Sequence, residues 1–320
     1  MPVPVDAVAS AVDGKIGFEH LPAPLGEHAL NAAGERLIAM LEQGSSRQRA
    51  AAALFGFSDV RTREDLEVWL QRVVHIARDD NDPIVLGWAL SVCDAYRPEA
   101  CGQPLARRWI AAEPDNAAAW LALAKRAGVD LEEVDRGIAQ STRYSVHAGA
   151  VAETVRTAWP VSEPPYLLAL LLMASLNVDH LFSSSPTLTV FGHCKLPRPD
   201  GALRTRACSA LAETLTERAV SVNDLLLGTA LRQWAGWPAD RVAEVRARYD
   251  SSVAQLVALG PENAPQPLAC KEVERLHDWV RSVGTNGELS SLRTLNRGDP
   301  AANAVSRAPS TDRSPAASKP

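Results

Sequence analysis

The amino-acid sequence predicts an all-α protein built as an irregular stack of helical hairpins. Ala and Leu are the commonest apolar residues among its 320 positions, and both favour helices over strands. Apolar residues recur at three- and four-residue spacing in many segments, as Leu30, Leu37 and Leu41 do in the first clear helix. Capping residues, prolines and glycines mark where these segments begin and end.

Helix starts are indicated by capping residues and by prolines at first helical positions. They are Thr62 with Asp65, Asp82-Pro83, Asp130 with Glu133, Pro164-Pro165, and Ser221 with Asp224. Predicted helices cover 27–43, 46–55, 146–158, 204–218, 221–234, 238–259 and 269–283, with a further short one at 286–295. The stretch 181–203 shows the least helical pattern of the interior, so we expect a long loop there.

The composition changes along the chain and suggests four regions. We expect a loosely ordered N-terminus at 1–25, a helical-repeat domain at 26–260, C-terminal helices at 268–296 and a disordered tail at 297–320. The tail contains mostly Ala, Ser, Pro, Asn and Arg, and such a segment buries too little apolar surface to fold.

A faint internal repeat supports the hairpin arrangement. When Cys101 is aligned with Cys208, the stretches 102–128 and 209–236 each show a helix, a short turn, a second helix and a terminal glycine. We interpret this as one helical-hairpin plan used twice.

The segment around 103–140 resembles a tetratricopeptide repeat. Trp120, Leu123 and Ala124 match the Trp, Leu and small-residue positions of the first helix of that repeat, and Pro114 matches the proline that closes the preceding one. Ala127 stands where the repeat has Tyr, and the next helix comes early. The resemblance implies stacked helix pairs, as in an α-solenoid, and names no ligand.

Charge and hydropathy exclude several classes of protein. The net charge is −5 and Arg residues are scattered, so we expect no nucleic-acid partner. The first twenty residues lack the basic and apolar regions of a secretory signal. The most apolar window, 166–176, is about half as long as a membrane span and is expected to be a core helix, so no membrane span is predicted.

Four of the five cysteines fall into near pairs. Cys93 with Cys101 and Cys194 with Cys208 are candidate disulfides, and Cys270 is left over. Buried reduced thiols are the alternative. Disulfides would favour the periplasm, whereas the missing signal favours the cytoplasm, and an export segment absent from this start would reconcile the two.

No catalytic, cofactor-binding or metal-binding residue is predicted. The adjacent His193 and Cys194 suggest a thiol nucleophile, but neighbours in sequence rarely have the geometry of a nucleophile and its base. A zinc site at His193, Cys194, Cys208 and His180 lacks the usual ligand spacing. The other histidines, His147 among them, are isolated in the sequence.

The tryptophans suggest how the protein is used. Trp88, Trp109 and Trp120 are expected to anchor the core, whereas Trp234 and Trp237 lie at a helix–helix corner and are candidate partner-binding residues. The leading hypothesis is a non-enzymatic scaffold or partner-binding protein with a concave helical face. The alternatives are an α-helical enzyme or ligand-binding protein with its site at the 181–203 loop, and an envelope-associated protein.

Overall fold

The computed structural model describes residues 15–16, 23–97, 101–159, 165–183, 185–195, 201–259 and 268–297. These residues form fifteen α-helices, which confirms the all-α prediction. The helices are α1 Ala23–Glu42, α2 Ser46–Phe55, α3 Arg63–Arg78, α4 Pro83–Tyr96, α5 Gln103–Ala112, α6 Ala117–Ala124, α7 Leu131–Gln140, α8 Ala150–Ala158, α9 Pro165–Ser183, α10 Ser185–Lys195, α11 Ala202–Glu217, α12 Val222–Trp234, α13 Ala239–Leu259, α14 Cys270–Asn286 and α15 Glu288–Arg297.

Three minor elements accompany the helices. A 3₁₀ helix, Gly56–Asp59, follows α2. Two-residue strands, β1 Lys15–Ile16 and β2 Leu268–Ala269, pair antiparallel. Of the N-terminus expected to be loosely ordered at 1–25, the structure describes only β1 and the first residues of α1. The tail expected beyond 297 lies outside the described residues.

Several helix starts agree with the predicted caps. The Thr62 hydroxyl accepts a hydrogen bond from the Asp65 backbone N–H, and the Asp65 carboxylate accepts one from the Thr62 N–H. Ser221 and Asp224 form the same reciprocal pair at the start of α12. Such boxes satisfy amide groups that have no partner within the helix.

Two predicted starts differ in detail. Asp130 caps α7 by accepting from the Glu132 N–H, but Glu133 pairs with Arg107 on α5 and does not complete a capping box. The helix predicted at 146–158 begins only at Ala150, because Gly149 has a φ of +85° and interrupts the helical backbone.

The expected loop at 181–203 is wrong, because most of this stretch is helical. Helix α9 continues to Ser183, and α10 covers Ser185–Lys195. Ser, Thr and Gly are weak helix formers, which is why the sequence indicated a loop. Helix α10 buries one face, on which Thr189, Val190 and His193 are at most 7% exposed. This packing outweighs the weak helix propensity of its sequence.

The helices form one long series with a second row beside it. Consecutive helices from α1 to α7 contact each other; α7 then contacts α11, α11 contacts α12, and α12 contacts α13. Helices α8, α9 and α10 lie along this series, since α8 contacts α1 and α2, α9 contacts α1 and α4, and α10 contacts α4 and α6. Repeats of a solenoid contact only their neighbours, so these contacts do not establish a tetratricopeptide-like solenoid.

The two stretches of the internal repeat both form helix pairs, α5–α6 and α11–α12. Each pair is followed by a glycine with a φ of +71°, Gly128 and Gly236. The aligned cysteines occupy different places, because Cys101 precedes α5 whereas Cys208 lies within α11. Both stretches therefore contain a pair of contacting helices, but their cysteines stand at different positions relative to those helices.

One large apolar cluster runs through helices α1 to α12 and includes Val280 of α14. Trp88 and Trp109 are 4% and 3% exposed, as expected of core anchors, and Trp120 is half-buried over Gly137 of α7. A smaller cluster joins α12, α13 and α15. Helix α14 packs on α8 and α9, which come from the middle of the sequence.

Candidate functional site

The two predicted cysteine pairs are at disulfide distance. The Cα atoms of Cys93 and Cys101 are 5.8 Å apart, and those of Cys194 and Cys208 are 5.7 Å apart. The first bond joins the end of α4 to Cys101, two residues before α5 begins. The second joins the end of α10 to the middle of α11.

Both disulfides are expected to stabilise the protein, by about 2–3 kcal/mol each, because bonds that span 8 and 14 residues restrict the unfolded chain. Unreduced protein should take up one alkyl group, on Cys270, and fully reduced protein five, by mass spectrometry. Urea unfolding with and without reductant measures the stabilisation. Unchanged unfolding after complete reduction would contradict this expectation.

The histidine and cysteine considered as a reactive pair have other partners. Cys194 is bonded to Cys208, so it is not a free thiol. His193 is 7% exposed, and its Nε2 lies 2.8 Å from Oδ1 of Asp135 on α7. The arrangement does not bring a nucleophile and a base together at this point.

His193 belongs to a buried charged triad with Asp135 and Arg204. The Arg204 Nη2 lies 3.3 Å from His193 Nδ1, and its Nε lies 3.7 Å from Asp135 Oδ2. Because arginine only donates hydrogen bonds, Nδ1 of His193 is the acceptor and the imidazole proton is on Nε2, which donates to Asp135. The triad ties together α7, α10 and α11 beside the second disulfide.

The two corner tryptophans lie in different surroundings. Trp234, at the end of α12, is 43% exposed, with its ring centroid 5.0 Å from that of Phe191 and 5.7 Å from Nζ of Lys195. Trp237 is half-buried under the Arg232 guanidinium, which lies 4.1 Å from its ring centroid. Of the two, only Trp234 presents a large aromatic surface to solvent.

A cleft of 280 Å³ lies elsewhere, where three separate segments of the chain meet. The segments are 145–150, before and at the start of α8; 220–224, at the start of α12; and 283–288, which covers the end of α14, Gly287 and the start of α15. Ile84 of α4 completes the wall. Three helix N-termini therefore converge on one cleft.

Two glycines with positive φ allow these segments to approach closely. A Cβ on Gly149 would lie 2.7 Å from Cγ1 of Val283, and one on Gly287 would lie 2.9 Å from the carbonyl oxygen of Val220. The φ values, +85° and +79°, are themselves unfavourable for residues with a side chain. The shape of the cleft thus depends on glycine at both positions.

His147 lines the cleft in a strained conformation. Its φ of +56° is the only positive value of a non-glycine residue within the described ranges, and such a conformation costs about 1–3 kcal/mol. Its Nε2 lies 3.1 Å from Oε2 of Glu113, and its backbone N–H donates to the hydroxyl of Ser145. These contacts hold the imidazole at the wall of the cleft.

Glu113 is a buried acceptor for several donors. It is 7% exposed and accepts hydrogen bonds from Trp109 Nε1 and Asn116 Nδ2 at 2.9 and 2.8 Å, and Arg143 Nη2 lies 3.1 Å from its other oxygen. Burial raises the pKa of Glu113, but the hydrogen bond and charge of His147, with those from Asn116 and Trp109, outweigh it and lower the pKa to about 2. The carboxylate is therefore ionised behind His147 at neutral pH.

Two further carboxylates line the cleft. Asp224 accepts hydrogen bonds from the backbone N–H groups of Val220 and Ser221, and burial raises its pKa to about 6. Glu288 accepts one from the Val222 N–H at 2.8 Å. The cleft therefore combines one imidazole and two carboxylates from three distant parts of the sequence.

Comparison of the chain with protein-family models, curated proteins and solved structures found no match. No helix in the described part of the chain is long and apolar enough to cross a membrane. Among the same residues, no group of three or more His, Cys, Asp or Glu side chains is arranged to hold a metal ion.

Sequence reasoning missed the cleft, because His147 is isolated along the chain and the cleft residues of the other segments lie 63 (Ile84) to 141 (Glu288) positions away. The only local signals are the glycines at 149 and 287, each directly before a helix.

Proposed function

We propose that this protein is a non-enzymatic helical scaffold that binds a protein partner through the surface formed by Phe191, Lys195 and Trp234, called here the Trp234 surface. The observation that carries the proposal is the exposure of Trp234. Trp69, Trp88, Trp109 and Trp159 are all 9% exposed or less. Because Trp234 is 43% exposed, a partner that covers it removes more apolar surface from water than contact with a buried tryptophan would. Tryptophan is also enriched among the residues that contribute most to binding energy.

The Trp234 surface is fixed before any partner arrives. The Cys194–Cys208 disulfide holds the end of α10, with Phe191 and Lys195, against α11, and α11 packs on α12, which carries Trp234. A preorganised surface loses little conformational entropy on binding. The chemistry of the surface suits a partner that places an apolar side chain on the indole and a carboxylate near the Lys195 ammonium.

The long series of helices supports the scaffold part of the proposal. Helices α1–α7, continued by α11–α13, contact one another in series. That this series is a tetratricopeptide-like stack of helical hairpins is part of the proposal. The two cysteine pairs support an oxidising compartment, such as the periplasm, as the place where the protein acts.

The proposal is tested by photo-cross-linking beside the tryptophan. We place p-benzoylphenylalanine at Gln233, which is exposed and leaves Trp234 intact, and in a control protein at Val68, which is 64% exposed on α3. A defined partner should cross-link at position 233 and not at 68. Trp234→Ala in the position-233 protein should abolish the product.

The partner is then purified and its affinity measured by calorimetry. Trp234→Ala should weaken binding at least tenfold, whereas Val68→Ala should leave it unchanged, and both variants should unfold at about the wild-type temperature. The proposal would be overturned if the same cross-linked products formed at positions 233 and 68. It would also be overturned if the partner bound Trp234→Ala as tightly as the wild type.

A further inference from the structure

The two disulfides differ in how easily a reductant reaches them. Cys93 and Cys101 are 0% and 1% exposed and belong to the large apolar cluster. Cys194 and Cys208 are half-buried. Thiol–disulfide exchange requires an attacking thiolate to approach one of the two sulfur atoms, so its rate depends on access. In the folded protein an external thiol therefore reaches the Cys194–Cys208 bond far more readily than the other.

Cys194 lies on the face of α10 that forms part of the Trp234 surface. Phe191 stands three residues before Cys194 and four before Lys195, and residues three or four apart share one face of a helix. The ring of Trp234 lies against this face, 5.0 Å from the Phe191 ring centroid and 5.7 Å from Nζ of Lys195. The disulfide thus joins this face covalently to α11.

The buried polar contacts of the same turn hold a different face of α10. Adjacent residues of a helix point about 100° apart, so His193 faces away from the direction of Phe191, two positions earlier. His193 bonds to Asp135 of α7, and its link to Arg204 of α11 is a long one, at 3.3 Å. These contacts secure the inner side of the helix but do not replace the disulfide on the outer side.

The last turn of α10 depends on such links because its sequence is a poor helix former. The helix has 11 residues, and isolated helices shorter than about 12–15 residues are marginal in water. Gly192 lies in the last turn, is exposed, and has no atom of another residue within 4 Å of the place where a Cβ would stand. Loss of the covalent link therefore favours fraying of the turn that carries Lys195.

We infer that the Cys194–Cys208 bond is a redox-sensitive switch of the Trp234 surface, opened by a dithiol reductant. Reduction releases the end of α10 from α11, separates Phe191 and Lys195 from Trp234 and removes the preorganisation that favours binding. The inference rests on the proposed function, because it concerns the regulation of the same surface.

The exchange proceeds in two steps. A thiolate of the reductant attacks one sulfur of the Cys194–Cys208 bond and forms a mixed disulfide, while the other cysteine sulfur leaves as a thiolate. The second thiol of the reductant then displaces the remaining cysteine. The reductant becomes a disulfide, and two electrons and two protons pass to Cys194 and Cys208.

A short pulse of dithiothreitol on the native full-length protein, stopped with iodoacetamide, tests which bond opens. Peptide mass spectrometry should find Cys194 and Cys208 alkylated at least about tenfold faster than Cys93 and Cys101, because exchange depends on access. Circular dichroism should show that the pulsed protein stays folded. Equal rates for the two bonds would overturn the inference.

The indole N–H resonance of Trp234 in ¹H–¹⁵N spectra reports on the surface itself. It should shift in the pulsed protein, because the ring current of Phe191 acts on it from 5.0 Å in the oxidised state. Amides of 190–195 should exchange with solvent at least about tenfold faster. An unchanged Trp234 resonance once Cys194 and Cys208 are reduced would contradict the inference.

Two variants control this measurement. Cys194→Ala combined with Cys208→Ala should give the resonance of the pulsed protein with or without dithiothreitol. If this double variant does not fold, the pulsed wild type supplies the comparison. Cys270→Ala removes the thiol outside the two pairs, so it should behave as the wild type and exclude an effect of alkylation there.

Cross-linking at position 233 links the switch to the partner. The yield of the product should fall at least about tenfold in the pulsed protein, because the surface is no longer preorganised. Equal yields in the two redox states would overturn the inference and leave the scaffold proposal intact. No product in either state would contradict the scaffold proposal, and the Trp234 resonance would still decide whether the disulfide controls this surface.

Discussion

Replacing Asp135 with alanine is expected to lower the free energy of unfolding by about 3–5 kcal/mol. The variant removes the only carboxylate of the triad and leaves the Arg204 guanidinium and the His193 imidazole buried without it, at 7% exposure each. A buried charge that loses its partner keeps its desolvation cost. Urea unfolding followed by circular dichroism measures the loss.

Glu133 provides the matched control on the same helix. It also pairs with an arginine, Arg107, at 2.8 Å, but both side chains are more than 30% exposed. Because solvent screens such pairs, Glu133→Ala should cost at most about 1 kcal/mol. Asp135→Asn should fall between the two, since the amide oxygen still accepts from His193 Nε2. Equal losses in Asp135→Ala and Glu133→Ala would show that the triad does not stabilise the fold.

The parts of the fold that were predictable depend on contacts within four residues. Thr62 and Asp65 form their reciprocal cap three positions apart, and Asp82 accepts from the Ile84 N–H two positions on. Such contacts can be predicted from the local sequence, because both partners lie within a few residues of each other. The Cys93–Cys101 pair was predictable for a related reason, since a separation of 8 residues limits how far apart the two can lie.

The features that escaped prediction depend on contacts between distant segments. Helix α10 has a weak helical sequence and is stabilised by burial against α4 and α6. His193 is hydrogen-bonded to Asp135, 58 positions away, a partner that nothing near His193 in the sequence indicates. Periodicity cannot indicate which of several amphipathic helices meet.

The candidate sites show the same division. Trp234 was selected from its place at a helix corner, which is a local property, and its exposure is consistent with that selection. The cleft needs three helix starts, more than 60 residues apart from one another, to converge. A single sequence contains no sign of that convergence beyond the glycines that make it sterically possible.

Replacing Glu113 with alanine is expected to cost about 3–5 kcal/mol and to change how stability depends on pH. The variant leaves buried donors on Trp109 and Asn116, and the imidazole of His147, without their acceptor. In the wild type the pKa of Glu113 is about 2, below its ordinary value of 4.5. The native state thus binds fewer protons than the unfolded state between these values.

The stability that Glu113 contributes is therefore fully present above about pH 4.5 and lost as the pH falls through about 2. The difference in unfolding free energy between wild type and Glu113→Ala should shrink over that interval, measured by urea unfolding from pH 7 to pH 2. Asp115→Ala is the control, because Asp115 pairs with the same Arg143 but is 47% exposed, so its loss should cost at most about 1 kcal/mol. A constant difference between wild type and Glu113→Ala at all pH values would mean that the ionised carboxylate does not hold His147 in place.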